Sequence, residues 1–443
     1  MRKYKSYKST RISWLDELPA HWDESILKRQ IVERKAGAWG EDINQKDINA
    51  FCLRIADYDY DRLRFKEGID YTIRSYDKSE MECRLLKPGD ILIEKSGGGD
   101  KAPVGRAVLY DLDLPNALYA NFMERLRVRS SINARYMVYY LNALYSRRVI
   151  WPYVKFTTGI QNLDMLAFGS SEFVPLPPLK EQNKIVAFLD KKLSLIESWK
   201  SQKEKQIQAL NELKQAEIAS AVTKGLNTKV KMKDSGIPWL GNIPNHWDMK
   251  YLFQIAHEHY ISNKDIHNQN LLSLSYGKII RKDINTTDGL LPASFNTYQV
   301  IEPDNVVFRF TDLQNDHKSL RVGLSKETGI ITSAYVVVEV EKNSILPEFF
   351  YYILHSYDIK KLFYGMGGGL RQNLNYNGIR KLNIPVPSIE EQKEIVKSIQ
   401  TNIKNIEETI LALEAEIEHL AEFKQRLISD AVTGQINVQN EVE

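Results

Sequence analysis

The sequence predicts an α+β protein made of two copies of one unit, each a globular domain followed by a long helix. Three observations predict it: motifs that recur in order, a constant distance between two of them, and a heptad pattern inside that constant stretch. Residues 12–27, ISWLDELPAHWDESIL, align without gaps on residues 237–252, IPWLGNIPNHWDMKYL, at an offset of 225, with eight of 16 positions identical. VPLPPLKEQNKIV (174–186) aligns with IPVPSIEEQKEIV (384–396) at an offset of 210, and Ala221-Val222-Thr223 matches Ala431-Val432-Thr433 at that same offset. Ordered self-similarity of this kind fixes the architecture before any single motif is weighed. Between the first and second blocks copy one is 15 residues longer, whereas from the second to the third the copies are equal in length. One part of each unit is therefore free to vary, and the other is a ruler.

The ruler reads as a helix. From Val396 the apolar positions run Ile399, Ile403, Ile406, Ile410, Leu413, Ile417 and Leu420, an a/d seam broken at Lys424 before Leu427. The same register in copy one gives Val186, Leu189, Leu193 and Ile196, then Lys200 and Lys203, then Ile207 and Leu210. The Pro-x-Pro blocks mark the helix starts, because proline disfavours helix in the residue before it. Gly225 and Gly434 stand where a C-cap ends each one. About 44 residues at 1.5 Å rise make a rod of roughly 65 Å. Residues 180–225 hold nine Lys/Arg and six Asp/Glu, and residues 390–434 hold five and ten. Opposite charge and matching heptads predict that the helices pair with each other. Within one chain, with a globular segment between them, the pair is an antiparallel coiled coil and the repeat is pseudo-two-fold symmetric. The alternatives are seams that pack only on their own domains, or that pair between chains.

The expected division is 1–179 first domain, 180–225 first helix, 226–236 a basic linker, 237–389 second domain, 390–434 second helix and 435–443 a tail. The domains carry short β-rich runs (90–94, 305–308 and 334–339), a Tyr-rich amphipathic helix in each (134–144 and 347–356) and closing glycine loops (157–164 and 367–375). A chain of 443 residues with 43% hydrophobic and 10% aromatic content can build real cores. Its two cysteines, Cys52 and Cys83, read as core thiols in a reducing cytoplasm. With no apolar run of about 18 residues, no membrane span and no secretory signal are expected.

No catalytic constellation is found. A P-loop is absent, and the glycine triplets 97–99 and 367–369 match no dinucleotide fingerprint; they suit a loop that bends or approaches another backbone. Asp90, Glu94 and Lys95 only superficially resemble a metal-binding nuclease cluster, and an edge strand leading into a loop is the preferred reading. His257 and His259 lack further ligands and read as a solvated surface. His21-Trp22 and His246-Trp247, kept in both copies, read as a plug that docks the segment onto its domain.

The net charge is only +3, yet basic residues gather in the variable segments. In the first domain Arg54, Arg62 and Arg64 fall near Tyr58 and Tyr60; Lys95, Lys101 and Arg106 flank a glycine triplet; Arg147, Arg148 and Lys155 follow the Tyr-rich helix. The second offers Arg281, Lys282, Arg309, Lys318, Arg321, Lys360, Lys361 and Arg371, and Gln161-Asn162 and Gln372-Asn373 recur near the ends of the two domains. Lys and Arg hold phosphates, while Arg, Asn and Gln bond base edges, so these residues form a candidate DNA-contact set. Individually, many also fit ordinary solvated charge, and the Gln-Asn pairs equally fit a loop-orienting role.

With these residues in view, the sequence resembles the specificity subunit of type I restriction–modification systems. The likeness is carried by Pro175-Leu-Pro-Pro-Leu-Lys-Glu-Gln182 with Pro385-Val-Pro-Ser-Ile-Glu-Glu-Gln392, and by Trp14-Leu…His21-Trp22 with Trp239-Leu…His246-Trp247. The helix exits, and Gly89 to Gly97 followed by Val104-Gly-Arg106, are also similar, although copy two has Asp304-Asn-Val306 in place of Gly-Asp-Ile. The family implies a non-catalytic reader in which two target-recognition domains each bind half of a bipartite DNA site across a non-specific spacer. It implies that the helices, with seam residues Leu189, Leu193, Ile196, Ile207, Leu210, Ile399, Ile403, Ile406, Ile410, Leu413, Ile417 and Leu420, set the spacer and dock two methyltransferase subunits. Restriction/translocase subunits would join these. No cofactor is implied in this chain; S-adenosylmethionine, ATP and magnesium would belong to the partner subunits. The competing expectation is a coiled-coil scaffold that binds proteins and never touches DNA.

Overall fold

The computed structural model describes residues 2–99, 102–157, 159–264, 266, 268–285, 294–313, 316, 319–366 and 374–439. The chain forms two compact units, residues 1–204 with 414–443, and residues 205–413. Each unit holds one globular domain, the start of the long helix that follows it, and the end of the other long helix.

In the first unit a six-stranded sheet runs Ile31–Ala36, Met123–Val128, Ile91–Glu94, Ala107–Leu109, Arg64–Phe65, Tyr58–Asp59. Ile91–Glu94 is buried at all four positions and hydrogen-bonded on both sides. The expected edge strand is thus an interior one, as its continuous apolar run requires. Ala134–Ser146 packs beside this sheet with Tyr136, Tyr139 and Tyr140 buried, and each buried hydroxyl finds an acceptor, the Asp190 carboxylate for Tyr139 and main-chain carbonyls for the other two. Tyr140 Oη donates to Phe173 O (2.5 Å), and Tyr136 Oη reaches Pro175 O (3.1 Å) and Val432 O (3.0 Å).

The second unit repeats the same strand order in four strands: Ala256–Glu258, Val336–Val340, Val306–Phe308, Val322–Leu324. The departure Asp304-Asn-Val306 preserves the turn. Asn305 Oδ1 accepts the Glu302 N–H at 2.8 Å, as Asp90 Oδ2 accepts that of Lys87 at 2.8 Å. Asp304 takes the left-handed backbone (φ 74°) that Gly89 takes in copy one (φ 95°). Tyr357 Oη, on the helix Pro347–Ile359, donates to Asn383 O at 2.8 Å.

Both domains close in the same way. The Pro-x-Pro segment pairs antiparallel with the segment after His-Trp: Phe173–Leu176 on Asp23–Ile26, and Asn383–Val386 on Asp248–Tyr251. The long helices then begin at Leu179 and Ile389 and run to Lys224 and Val432. At each start a buried glutamine satisfies backbone groups. Gln182 accepts from Asn133 N (2.8 Å) and donates to Ser131 O (3.2 Å) and Pro177 O (2.9 Å). Gln392 accepts from Leu346 N (2.7 Å) and donates to Ser344 O (3.2 Å) and Pro387 O (3.0 Å). The preceding glutamates hold the histidines, with Glu181 3.0 Å from His21 Nε2 and Glu391 2.9 Å from His246 Nε2. Trp22 and Trp247 are fully buried. The His-Trp plug therefore docks each segment as expected. Residues 226–236 are not all connector: Met232–Asp234 pairs with Asn242–Pro244, as Tyr7–Ser9 does with Glu17–Pro19.

In the first unit the helix segments pair antiparallel, with Lys184 Nζ 3.0 Å from Gln439 O and Lys203 ion-paired to Glu416. In the second unit Lys214 meets Glu407 at 3.4 Å. Both ion pairs take the base from the first helix and the acid from the second, as the segment charges suggested. Leu189, Leu193, Ile196, Ile399 and Ile406 are buried, whereas Ile207, Leu210, Ile403, Ile410, Leu413, Ile417 and Leu420 are half-buried. The seam breaks are explained: Lys200 Nζ lies 3.0 Å and Lys424 Nζ 3.1 Å from the carboxylate of Asp61, whose carbonyl also accepts from Lys424 at 2.6 Å. A lysine from each helix thus grips one acid of the first domain.

Two single-residue expectations are corrected. Cys83 is exposed on the short helix Lys78–Arg84, and only Cys52 is a core thiol, its pKa pushed up by burial. His259 is buried, with Nδ1 3.2 Å from Glu339, while His257 is exposed; the strand Ala256–Glu258 ends between them, and His259 N–H donates to Val337 O at 2.8 Å.

Replacing Gln392 by Leu strands the Leu346 N–H and two carbonyls in the interior. It should cost about 2–4 kcal/mol, read as a lowered urea midpoint. A second test uses pH. His355 is buried with Nε2 2.7 Å from Gln215, and burial, then Lys214, lower its pKa from 6.5 to about 4. Its unfolded form binds protons first, so its contribution is present above 6.5 and fades as pH falls through that window toward 4. Asp358, raised to about 6 by burial, acts oppositely, gaining stability as pH falls below 6. His355→Gln should therefore gain about 3 kcal/mol on the parent between pH 7 and 4, measured by urea unfolding.

Candidate nucleic-acid interface

In the first domain a small sheet, Ser96–Gly97, Ile160–Leu163, Val154–Thr157, holds three of the expected contact residues and adjoins a fourth. Lys95 precedes its first strand, half-buried, with its carbonyl accepting the Leu163 N–H at 2.8 Å. Lys155 is exposed and meets Asp164 at 2.6 Å. Gln161 is only 5% exposed, and its Oε1 accepts the Val104 N–H at 3.2 Å. Asn162 Oδ1 accepts from Ser96 Oγ at 2.6 Å. Gly98 is required, because a Cβ there would stand 2.8 Å from both Gln161 Oε1 and Val104 N. The pair 161–162 therefore orients the loop.

Arg106 and Arg321 occupy one position in the two copies, the residue before Ala107–Leu109 and before Val322–Leu324, each carbonyl accepting from the end of the neighbouring strand or the residue after it (Glu94 N, 2.9 Å; Arg309 N, 2.8 Å). Both guanidinium groups are engaged within their own domain. Arg106 pairs with the buried Glu94 (2.8 Å) and lies 3.8 Å from the Tyr60 ring centroid, and Tyr60 Oη donates to Glu94 at 2.6 Å. Glu94 holds the Arg106 guanidinium above its ordinary pKa against the opposing effect of burial. Arg321 is 0% exposed; its guanidinium donates to Thr311 O (2.9 Å), Arg309 O (3.4 Å) and Asp316 O, while its N–H donates to Asp358. These arginines shape the loops rather than project from them.

The remaining candidates scatter. Arg54 meets Asp57 (3.1 Å), Arg62 meets Glu197 (3.6 Å), and Arg64 pairs with Asp111. Arg147 donates to Ser429 Oγ (2.7 Å) over the Trp14 ring, and Arg148 is exposed over Trp151. In the second domain exposed Arg281 pairs with Glu327 (2.6 Å), and Arg309 lies 3.9 Å from Asp316. Lys360 donates to Trp239 O at 2.9 Å, and Lys361 stands over the Tyr364 ring at 4.9 Å. Lys282 is exposed beside Arg281. Lys101, Lys318, Arg371, Gln372 and Asn373, with the triplet 367–369, lie outside the described residues. Sequence reasoning misses exposed Lys278, on the hairpin Leu272–Ser275/Lys278–Arg281. It also misses the two most exposed large apolar side chains among the described residues, Phe156 (75%) and Tyr276 (73%). The Tyr276-Gly277 pair between two apolar runs was the available hairpin signal. Among the described residues no group of His, Cys, Asp or Glu is arranged to hold a metal ion, and no helix is long and apolar enough to cross a membrane.

Comparison with known proteins gives one family. The type I restriction modification DNA specificity domain matches residues 59–209 and 321–419, more than half the chain. The chain is similar to the putative type I restriction enzyme MjaX specificity subunit of Methanocaldococcus jannaschii, 24% identical over 99% of this chain and 98% of the relative. It is also similar to the type I restriction enzyme StySPI specificity subunit of Salmonella potsdam, 22% identical over 81% and 77%. Among solved structures, a chain of a type I R-M system superposes with a TM-score of 0.67 at 13% identity, covering 95% of this chain and 99% of that one. The HsdS subunit from Thermoanaerobacter tengcongensis gives 0.53 at 13%, covering 95% and 98%. With its two copies, paired helices and these matches, the chain belongs to the type I restriction–modification DNA specificity family.

Proposed function

We propose that this chain is the DNA-reading subunit of a type I restriction–modification complex, in which each globular domain recognises one half of a bipartite site. The observation that carries this reading is the contrast between two identically fastened domains and the different loops they bear. The frame, from the Asp90/Asn305 turn to the Gln182/Gln392 anchor, repeats, while lengths and charges around it do not. Equal spacing from the Pro-x-Pro block to the AVT block in the two copies supports a fixed spacer between the halves, and linking two short half-sites raises specificity through effective concentration.

The chain itself would carry no catalysis. Methyltransferase subunits holding S-adenosylmethionine, and restriction/translocase subunits using ATP and magnesium, would act at the site it selects. Exposed apolar side chains on the long helices support docking of such partners: Leu195, Trp199 and Leu213 on the first, Leu411 and Phe423 on the second. Leu213 and Phe423 are 210 residues apart, the same repeat position, which suits two copies of one methyltransferase. Docking thus shifts from the seam, which the helices use for each other, to the outward residues.

Methylome sequencing of cells with and without the chain should show a split methyladenine motif that depends on it. Four residues added within 180–225 should change the spacer of that motif or abolish it; an unchanged spacer would overturn the ruler. For the DNA contacts, Lys95→Glu and Lys282→Glu should each weaken binding to the site and lower the salt-dependence slope by roughly one. Equal affinity of the unmodified chain for site and scrambled duplex would instead leave a protein scaffold.

A further inference from the structure

An exposed apolar residue standing alone needs no explanation. Phe156 and Tyr276 differ from that background in three ways. First, each is the most exposed large apolar side chain among the described residues of its unit, and each sits on a β-hairpin of its globular domain. Second, each ring has basic side chains near it, two of them, Lys155 and Arg281, ion-paired to Asp164 and Glu327. Phe156 follows Lys155 and shares its sheet with the strand after Lys95, while Tyr276 is followed by Lys278, Arg281 and Lys282. Third, both hairpins are held from beneath. Opposite Phe156 in register lies the buried Gln161, tied to Val104. Gly277, next to Tyr276, is buried, its carbonyl accepts from Tyr351 Oη at 3.3 Å, and Leu320 fills the space where a Cβ would be.

Tyr276 adds a sharper point. Tyr276 (φ 45°) and Gly277 (φ 78°) are consecutive left-handed residues in a two-residue hairpin loop. That loop favours Asn or Asp at its first position, and a tyrosine there is strained. A bulky ring is thus kept, at a cost, where it projects into solvent from a fixed support. Among the described residues neither ring has an aromatic neighbour or hydrogen-bond partner.

We propose that Phe156 and Tyr276 are stacking residues, one per domain, each inserting its ring at a base step of its half-site in duplex DNA. This rests on the DNA-reading function proposed above and deepens it. Aromatic side chains stack on any base because every base presents a π-face, and apolar wedges entering a groove part neighbouring base pairs. The flanking lysines and arginines would hold the phosphates on either side.

The test uses the full chain assembled with its methyltransferase partner, on duplexes carrying the motif defined by methylome sequencing. 2-Aminopurine is placed at successive steps of each half. The unmodified complex should brighten at one step per half as stacking is broken. Phe156→Ala should abolish the signal in one half only and weaken binding roughly tenfold, with the salt slope unchanged because no counterion contact is lost. Tyr276→Asn should do the same in the other half, with an equal or higher thermal midpoint, since asparagine suits the left-handed turn. Tyr276→Phe should retain both signal and affinity. Affinity and fluorescence unchanged in both Phe156→Ala and Tyr276→Asn overturn the proposal. So does loss of methyltransferase assembly with the chain's own DNA affinity intact, which would make the rings protein contacts. If the unmodified chain fails to distinguish site from scrambled duplex, the reader assignment fails and this proposal falls with it.

Discussion

The arrangement depends on one buried constraint: the first turn of each long helix must satisfy the polar groups of the domain before it. Gln182 and Gln392 are 1% and 0% exposed, and each meets one N–H and two carbonyls. An unpaired amide at that depth would cost more than the bonds contribute when made, so the geometry is enforced by the penalty for missing it. The preceding glutamate adds a tie to His21 or His246. Position and direction of the helix follow from these few atoms.

The far ends of the helices obey a matching constraint. Gly434 turns with φ 71° over Trp22, where a Cβ would stand 3.1 Å from the ring, and Gly225, also at φ 71°, lies against Trp247 with a Cβ position 3.3 Å from it. Each tryptophan segment thus receives the start of its own helix and the end of the other. An insertion between the Pro-x-Pro and AVT blocks would move one end off its seat. Equal length across that stretch follows from this packing, whereas the segment before it carries no such constraint.

Much of the frame was legible for that reason. Groups that must be met at fixed places leave fixed spacings, and the offsets of 225 and 210 record them. The lysines that break the heptads were visible as breaks, but not their partner: Asp61 lies far away in sequence, and only folding shows that Lys200 and Lys424 converge on it. The candidate site was less legible. Arginine serves equally as a buried brace and as a solvated reader, because its five donors suit backbone carbonyls as well as phosphates. Arg321, wholly buried among carbonyls, and Arg281, exposed on Glu327, are the same letter in the sequence. Cys83 and His259 were misplaced for a similar reason, since burial is decided by neighbours and not by residue type.

The braces explain how such a fold can change what it reads. At equivalent positions Arg106 is met by Glu94 and Tyr60, whereas Arg321 is met by main-chain carbonyls of the loop that begins at Arg309. The same residue is thus braced by side chains in one copy, and in the other by main-chain carbonyls together with Asp316 and Tyr364. Backbone carbonyls are present whatever the loop sequence, so a guanidinium that binds them accepts substitution at the tips. The strand frame and helix anchors can stay constant while the hairpins and loops diverge. An arginine braced within its own domain in this way leaves the neighbouring loop residues open to change.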